Sequence, residues 1–187
     1  MGIPKPLTKD QAPAELHKIY DKMQEDIGRM PNIFGVLARF PAALKTLIQF
    51  YDAVMSKGEI EAKYKELAYL KTSIINECQY WTLAHTASAK QVGVTDKQIQ
   101  ELGFYRRSEV FDEKEKITIR FADIVTRGAT AVDPAVLEYV GKYNSEDEIV
   151  ELTMVIALAN LVNRINDTLQ IEVDSVWKIL LRMTVRT

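Results

Sequence analysis

Residues 61–93 read EAKYKELAYLKTSIINECQYWTLAHTASAKQVG and contain the pattern from which the fold of the chain follows. Apolar residues recur at helical spacing in the first half of this stretch, at Leu67, Leu70, Ile74 and Ile75. Asn76 and Gln79 form the pattern of a helix start, and Gly93 is a typical helix stop. The stretch therefore predicts two consecutive helices, over residues 61–75 and 77–92.

Similar helix starts and stops occur on both sides of this stretch. Pro13 and Pro41 open predicted helices that end at Gly28 and Gly58, with a short helical turn over residues 32–40 between them. Later starts are predicted at Thr95 with Gln98, Asp112 with Glu115, Asp133 with Pro134, and Ser145 with Glu148. A last helix is predicted over residues 176–181, and alternating strand patterns are almost absent.

These elements predict an all-α fold. Its length of 187 residues suits one domain with an N-terminal extension. Residues 1–58 are expected to form a helical lead-in, and residues 59–187 a compact core that carries the functional site.

Composition excludes several classes of protein. The 24 basic and 26 acidic residues give a net charge of -2 without a basic stripe, which argues against nucleic acid as a partner. The most apolar run, Ile149 to Val162, is too short and too polar to span a membrane. The single cysteine, Cys78, cannot form an internal disulfide. Since the N-terminus also lacks an apolar signal core, we expect a cytoplasmic protein.

The second predicted helix places Cys78, Trp81 and His85 on one face. Two helical turns, about 10 Å of rise, separate the cysteine from the histidine. Near the helix N-terminus the partial positive charge of the backbone favours a thiolate, as in reactive cysteines. A buried structural cysteine is an equally open interpretation.

Glu66 lies on the preceding helix, where an antiparallel hairpin would bring it beside His85. A carboxylate that orients an imidazole is a common proton-relay pair. Alternatively, Glu66 is a solvated helix residue and His85 a hydrogen-bonded core histidine. The other histidine, His17, is expected at the surface.

A second polar feature interrupts the apolar helix that follows Ser145. It consists of Asn160, Asn163, Arg164, Asn166 and Asp167. Buried polar groups need partners, so this cluster either faces the site or a subunit interface, or marks a helix end that reaches solvent.

The spacing of the site residues resembles a known family. Glu66, Cys78, Trp81 and His85 follow the alkylhydroperoxidase D pattern Glu-x11-Cys-x2-Cys-x3-His, except that Trp81 stands where the second cysteine belongs. Three flanking stretches, at residues 31–37, 121–123 and 161–164, are also similar to those of peroxidase-related members. The chain is accordingly identified as a member of the alkylhydroperoxidase D and carboxymuconolactone decarboxylase family, with a resemblance over roughly residues 30–170.

The resemblance implies an alkylhydroperoxidase D-like helical bundle that assembles into trimers or hexamers. It also implies that Glu66 and His85 form the proton relay and that Cys78 is the partner thiol. An indole can neither attack a peroxide nor close a disulfide, so Trp81 makes the usual dithiol cycle impossible within one subunit. Many decarboxylase-like members also lack the second cysteine.

Three functions stay open. The first is an antioxidant oxidoreductase, a one-cysteine hydroperoxide reductase that uses Cys78. The second is a proton-transfer lyase for a small lactone or carboxylate, with His85 as general acid and base and Arg164 binding the carboxylate. The third is a non-catalytic, ligand-binding helical oligomer. We expect substrate contacts from Trp81, Tyr80, Asn160 and Arg164. No cofactor is expected, and no metal, because the spacing of Cys78 and His85 is unusual for zinc.

Overall fold

The computed structural model describes residues 3–177, and within that range the fold is entirely helical. The helices are α1 (His17–Ile27), α2 (Asn32–Leu37), α3 (Pro41–Met55), α4 (Ala62–Ile75), α5 (Gln79–Gln91), α6 (Asp96–Glu101), α7 (Glu113–Gly128), α8 (Pro134–Val140) and α9 (Glu146–Thr168). The prediction of an all-α fold is confirmed. The predicted last helix, over residues 176–181, lies mostly outside the described residues.

The predicted helix starts agree with the observed ones wherever a side chain caps the helix. Thr95 accepts a hydrogen bond from the Gln98 N–H, and Asp112 accepts one from the Glu115 N–H. At the start of α9 the Ser145 N–H donates to the Glu148 carboxylate, and the Glu148 N–H donates to Ser145 Oγ. The first helix is shorter than predicted, because a 3-10 turn over Ala14–Leu16 precedes α1.

The predicted start of the helix that carries the site is wrong. Asn76 is the C-cap of α4, and Cys78 is the N-cap of α5 rather than its second residue. Between them Glu77 adopts a left-handed conformation, with φ of 57°, which reverses the chain in three residues. The capping pattern was misleading because the Asn76 side chain bonds to α9 instead of capping a helix.

The described residues divide into two compact units. The first contains residues 3–52 and 165–177, and the second is Ala53–Arg164. In the first unit the Asn32 N–H donates to the Asp174 carboxylate at 3.2 Å, which joins distant parts of the chain. This division differs from the sequence-based one. A contact between residues so far apart in the chain leaves no local pattern in the sequence. That residues 59–187 form one core stays a prediction.

Helix α4 is the central element of the second unit, since the side chains from Lys65 to Ser73 are all buried. It packs against α5 and α7. The apolar cluster around it consists of Leu67, Leu70, Ala89, Val94, Leu102, Tyr105, Phe111 and Ile119. No helix in the described range is both long and apolar enough to cross a bilayer.

A buried ion pair fixes the segment that leads into α4. The Lys65 ammonium donates to the Val54 and Ser56 carbonyls at 2.9 and 2.6 Å and pairs with the Glu151 carboxylate. Glu151 also accepts from the Ile60 N–H at 2.8 Å. A Cβ on Gly58 would collide with the Glu151 carboxylate, so a larger residue at position 58 would displace this group from its present contacts.

Replacement of Glu151 with glutamine should destabilise the fold by roughly 3 kcal/mol, because it leaves the buried Lys65 ammonium without its counter-charge. Burial raises the pKa of the Glu151 carboxyl, but hydrogen bonds from the Ile60 N–H and Lys65 outweigh this effect and lower the pKa overall. The wild-type advantage over Glu151→Gln should therefore be present at neutral pH. It should fade as the pH falls through that lowered pKa.

Urea unfolding at several pH values measures both effects. The exposed Glu138→Gln is the matched control and should change the free energy of unfolding by less than about 0.5 kcal/mol. Equal stability of Glu151→Gln and wild type at neutral pH would contradict the assigned role of the ion pair.

Candidate functional site

The site is built on the antiparallel hairpin of α4 and α5. Glu66, Tyr69 and Ser73 are spaced by three and four residues and share one face of α4. Each contacts α5 or its start. Glu66 meets His85, Tyr69 stacks on His85, and the Ser73 carbonyl accepts from the Cys78 N–H at 3.0 Å. These contacts set the register of the two helices along the length of the site.

The imidazole of His85 is held on two sides. Its Nδ1 lies 2.7 Å from Glu66 Oε2, and the Tyr69 ring stacks on it with centroids 3.4 Å apart and an interplanar angle of 14°. Only 2% of His85 is exposed. A carboxylate oxygen suits an Nδ1–H donor, and in that tautomer Nε2 is the ring nitrogen that exchanges a proton. The structure thus brings Glu66 and His85 together as the hairpin predicted.

Cys78 is fully buried at the other end of the same helix face. As the N-cap residue of α5 it has extended backbone, and it follows the left-handed Glu77. About 10 Å of helix rise lies between Cys78 and His85. The thiol and the imidazole therefore mark two ends of a site rather than one compact pair.

Aromatic rings occupy the space between these two ends. The Trp81 ring lies 5.6 Å from the His85 ring, 5.8 Å from that of Tyr69 and 5.2 Å from that of Tyr80, measured between centroids. All four side chains are buried. Trp81 thus forms a wall beside His85. Sequence analysis missed Tyr69, although its position three residues after Glu66 places it on the same helix face.

The polar residues of α9 contact the Cys78 end of the hairpin. The Asn76 amide donates to Asn160 Oδ1 at 3.1 Å and to Asn163 Oδ1 at 2.9 Å. Asn163 donates in turn to Ser73 Oγ at 3.3 Å, and Arg164 Nη1 donates to Asn160 Oδ1 at 2.6 Å. This network holds the turn that precedes Cys78.

Other residues that the sequence singled out lie elsewhere. The Asn166 amide donates to the Ile171 carbonyl at 3.4 Å, and Asp167 is exposed. His17 is partly buried, with Nε2 3.2 Å from the Ala12 carbonyl. Asp123 accepts from Arg127 Nε at 2.9 Å, which is a contact within α7. Across residues 3–177 no three His, Cys, Asp or Glu side chains converge in a way suited to a metal ion.

Comparison with known proteins gives the family of the part that contains this site. Residues 41–123, which include Glu66, Cys78, Trp81 and His85, match the model of the carboxymuconolactone decarboxylase family. This segment belongs to that family. The resemblance predicted from the spacing is confirmed here, whereas the flanking stretches at 31–37 and 161–164 lie outside the matched segment.

Two relatives cover most of the chain. The uncharacterized protein YnjA of Escherichia coli (strain K12) is 24% identical over 153 residues, which are 81% of this chain and 79% of YnjA. A peroxidase-related protein from Silicibacter sp. TM1040 superposes with a TM-score of 0.83 at 22% identity, over 94% of this chain and 95% of the other.

A further protein of similar fold is the debrominase Bmp8, in the form of a single-residue variant bound to 2,3,4-tribromopyrrole. It superposes with a TM-score of 0.82 at 18% identity, over 98% of this chain and 97% of the other. The fold is therefore that of alkylhydroperoxidase D-like, peroxidase-related proteins, as predicted.

Replacement of Trp81 with cysteine should restore a dithiol site in the family segment. Cys78 is at the N-cap of α5 and residue 81 lies one turn later, which is the placement of redox-active Cys-x-x-Cys pairs. Mild oxidation should convert both thiols of Trp81→Cys into a disulfide, measured as the loss of two hydrogens by intact mass and of both free thiols by titration.

Trp81→Ala is the matched control, because it leaves a similar cavity, which costs about 3–5 kcal/mol, without adding a thiol. If Trp81→Cys keeps two free thiols under excess oxidant, residues 78 and 81 do not face each other as this placement requires.

Proposed function

We propose that this protein is a small-molecule oxidoreductase that reduces hydroperoxides with Cys78 as its single redox thiol. The observation that carries the proposal is the buried 2.7 Å hydrogen bond between Glu66 and His85, which is a ready proton relay. The position of Cys78 at the start of α5, on the turn held by Asn76, supports it further. So does the fold, which solved peroxidase-related proteins share.

The proposed reaction has two stages. The Cys78 thiolate attacks the terminal oxygen of the hydroperoxide, an S–O bond forms as the O–O bond breaks, and the alkoxide takes one proton to leave as an alcohol. Cys78 is thereby oxidised to the sulfenic acid. A first external thiol then forms a mixed disulfide with loss of water, and a second external thiol releases Cys78 as its thiol together with an external disulfide.

His85 acts on the leaving oxygen in this proposal. Two helical turns separate its imidazole from the start of α5, which is far more than the length of one O–O bond, so in this proposal the proton from His85 Nε2 reaches the alkoxide through intervening water. Glu66 accepts the Nδ1–H and stabilises the positively charged imidazole before it gives up its proton. Glu66 is therefore a positioning residue, and Cys78 and His85 are the catalytic ones.

The predicted substrate contacts divide into two groups. Trp81 and Tyr80 supply an aromatic wall, which suits an organic hydroperoxide with a small apolar body. That the debrominase of the same fold binds a tribromopyrrole supports a small organic substrate. Asn160 accepts a hydrogen bond from Asn76, and Arg164 donates to Asn160, so we assign both residues to holding the turn before Cys78 in place.

Exposure to a small excess of cumene hydroperoxide should add one oxygen atom to the wild-type protein, as measured by intact mass. The Cys78→Ser protein should not change, because it lacks the nucleophile. His85→Gln should slow the addition by roughly 100-fold or more, the usual contribution of a positioned proton donor. Tyr80→Phe keeps the aromatic wall and serves as the matched control.

A mass change that is equally large in Cys78→Ser, or none in either protein, would rule out the one-cysteine reductase. The second candidate would then be a proton-transfer lyase that acts on a small lactone or carboxylate. The observation that favours it is the aromatic wall of Trp81 beside His85 in place of a thiol. Its signature is decarboxylation of a lactone that is lost in His85→Gln and kept in Cys78→Ser. Absence of both activities leaves the non-catalytic ligand-binding oligomer.

The predicted homo-oligomer is supported by an exposed stripe on α9. Val150, Met154, Ala157 and Leu161 are exposed at a spacing of four, three and four residues, the period of helices that pair through one apolar seam. Asp147 precedes this stripe by one turn and Arg164 follows it by one turn. An antiparallel pairing with α9 of a second copy places Asp147 opposite Arg164 of that copy, twice by symmetry. Such a two-fold contact fits a hexamer built from two trimers.

Charge exchange should test this seam. Asp147→Arg alone puts like charges across it and should weaken the association about tenfold, and the double variant Asp147→Arg with Arg164→Asp should recover it. Sedimentation velocity over a range of concentrations measures the association, with Phe104→Ser as an exposed apolar control. A wild-type monomer at all concentrations, or a double variant no better than Asp147→Arg, would refute the pairing.

A further inference from the structure

A second concave site lies between α7 and α8, apart from the residues of the Glu66–His85 site. It consists of two adjoining cavities of about 200 and 310 Å³, which share Ile117, Arg120 and Tyr139 as lining residues. Volumes of this order accommodate a small organic molecule.

The two cavities differ in chemical character. The smaller has an apolar floor, since Phe121, Ile117 and Val140 line it with buried side chains. The larger is lined by three cations, Arg106, Lys116 and Arg120, by the carboxylate of Glu113 and by the ring of Tyr105. The cleft therefore combines an apolar surface with a charged part in which cations outnumber carboxylates.

The acidic side chains of the cleft already have partners. Glu113 pairs with Lys116 at 3.7 Å, and Asp133 accepts the Val136 N–H at 2.9 Å as the N-cap of α8. Arg106 in turn pairs with Asp123 at 3.6 Å. Among residues 3–177, Arg120 has no carboxylate within ion-pair distance, and its guanidinium lies 5.6 Å from the centroid of the Tyr139 ring. One cation at the junction of the two cavities is thus left for an outside anion.

We propose that this cleft binds a small organic carboxylate, with its apolar body on the Ile117–Phe121–Val140 floor and its carboxylate on Arg120. A guanidinium presents two parallel N–H donors that match a carboxylate. This site is independent of the proposed peroxide chemistry, because it shares no residue with it.

The test is titration of the protein with 2-naphthoate, followed by ¹H–¹⁵N NMR. Saturable shifts are expected in residues 116–121 and 135–140. The neutral 2-naphthamide has the same shape without the charge and should bind at least about tenfold more weakly, since a hydrogen bond to a charged group is worth about 1.5–3 kcal/mol. Arg120→Gln should weaken 2-naphthoate binding by a similar factor.

Arg107→Gln is the matched control, because Arg107 is exposed and lies next to Arg106 without lining either cavity. It should bind 2-naphthoate like the wild type. The proposal fails if the wild type shows no saturable shifts or if the shifts fall outside the cleft. It also fails if Arg120→Gln binds 2-naphthoate as tightly as the wild type does, or if the wild type binds 2-naphthamide as tightly as 2-naphthoate. None of these measurements depends on enzymatic turnover, so the binding test and the test of the proposed function can fail independently.

Discussion

The hydrogen bond between Glu66 and His85 is the interaction on which the arrangement of the site depends. A buried carboxylate and a buried imidazole each need a partner, and at 2.7 Å they satisfy one another. This bond determines how far α5 is shifted along α4. The same register then brings Tyr69 over the imidazole ring and the Ser73 carbonyl to the Cys78 N–H. A shift by one turn would separate these two polar groups.

Burial of charge is unusually concentrated on α4. Lys65 and Glu66 are consecutive and point to different neighbours, since Lys65 pairs with Glu151 of α9 and Glu66 with His85 of α5. The next charged residue, Lys71, is also buried, and burial lowers the pKa of its ammonium while the nearby Asp123 opposes that shift. Removal of one partner of such a pair costs far more than the pair contributes. The central helix is therefore fixed on three sides by polar contacts within an apolar core.

Trp81 changes the chemistry of the site without changing its frame. The Glu66–His85 pair, the helix start with Cys78 and the network from Asn76 to α9 need no second thiol. An indole packed against Tyr69, Tyr80 and His85 instead supplies apolar surface where a dithiol member of the family has sulfur. This frame suits any reaction that needs a proton at His85 and a small organic substrate. The two candidate reactions therefore differ in whether the Cys78 thiol takes part.

Local patterns in the sequence predict most of the helices and the spacing of the site residues. The caps at Thr95, Asp112 and Ser145 can be predicted because their partners lie three residues away. The spacing of Glu66 and His85 can be recognised because the two helices of a hairpin are close in the chain. Long-range packing brings Asn76 to Asn160 and Asn163, where it caps no helix, and makes Glu151 the partner of Lys65. Those partners are more than 80 residues apart. A buried polar side chain takes whichever partner long-range packing brings to it, and no local pattern records that choice.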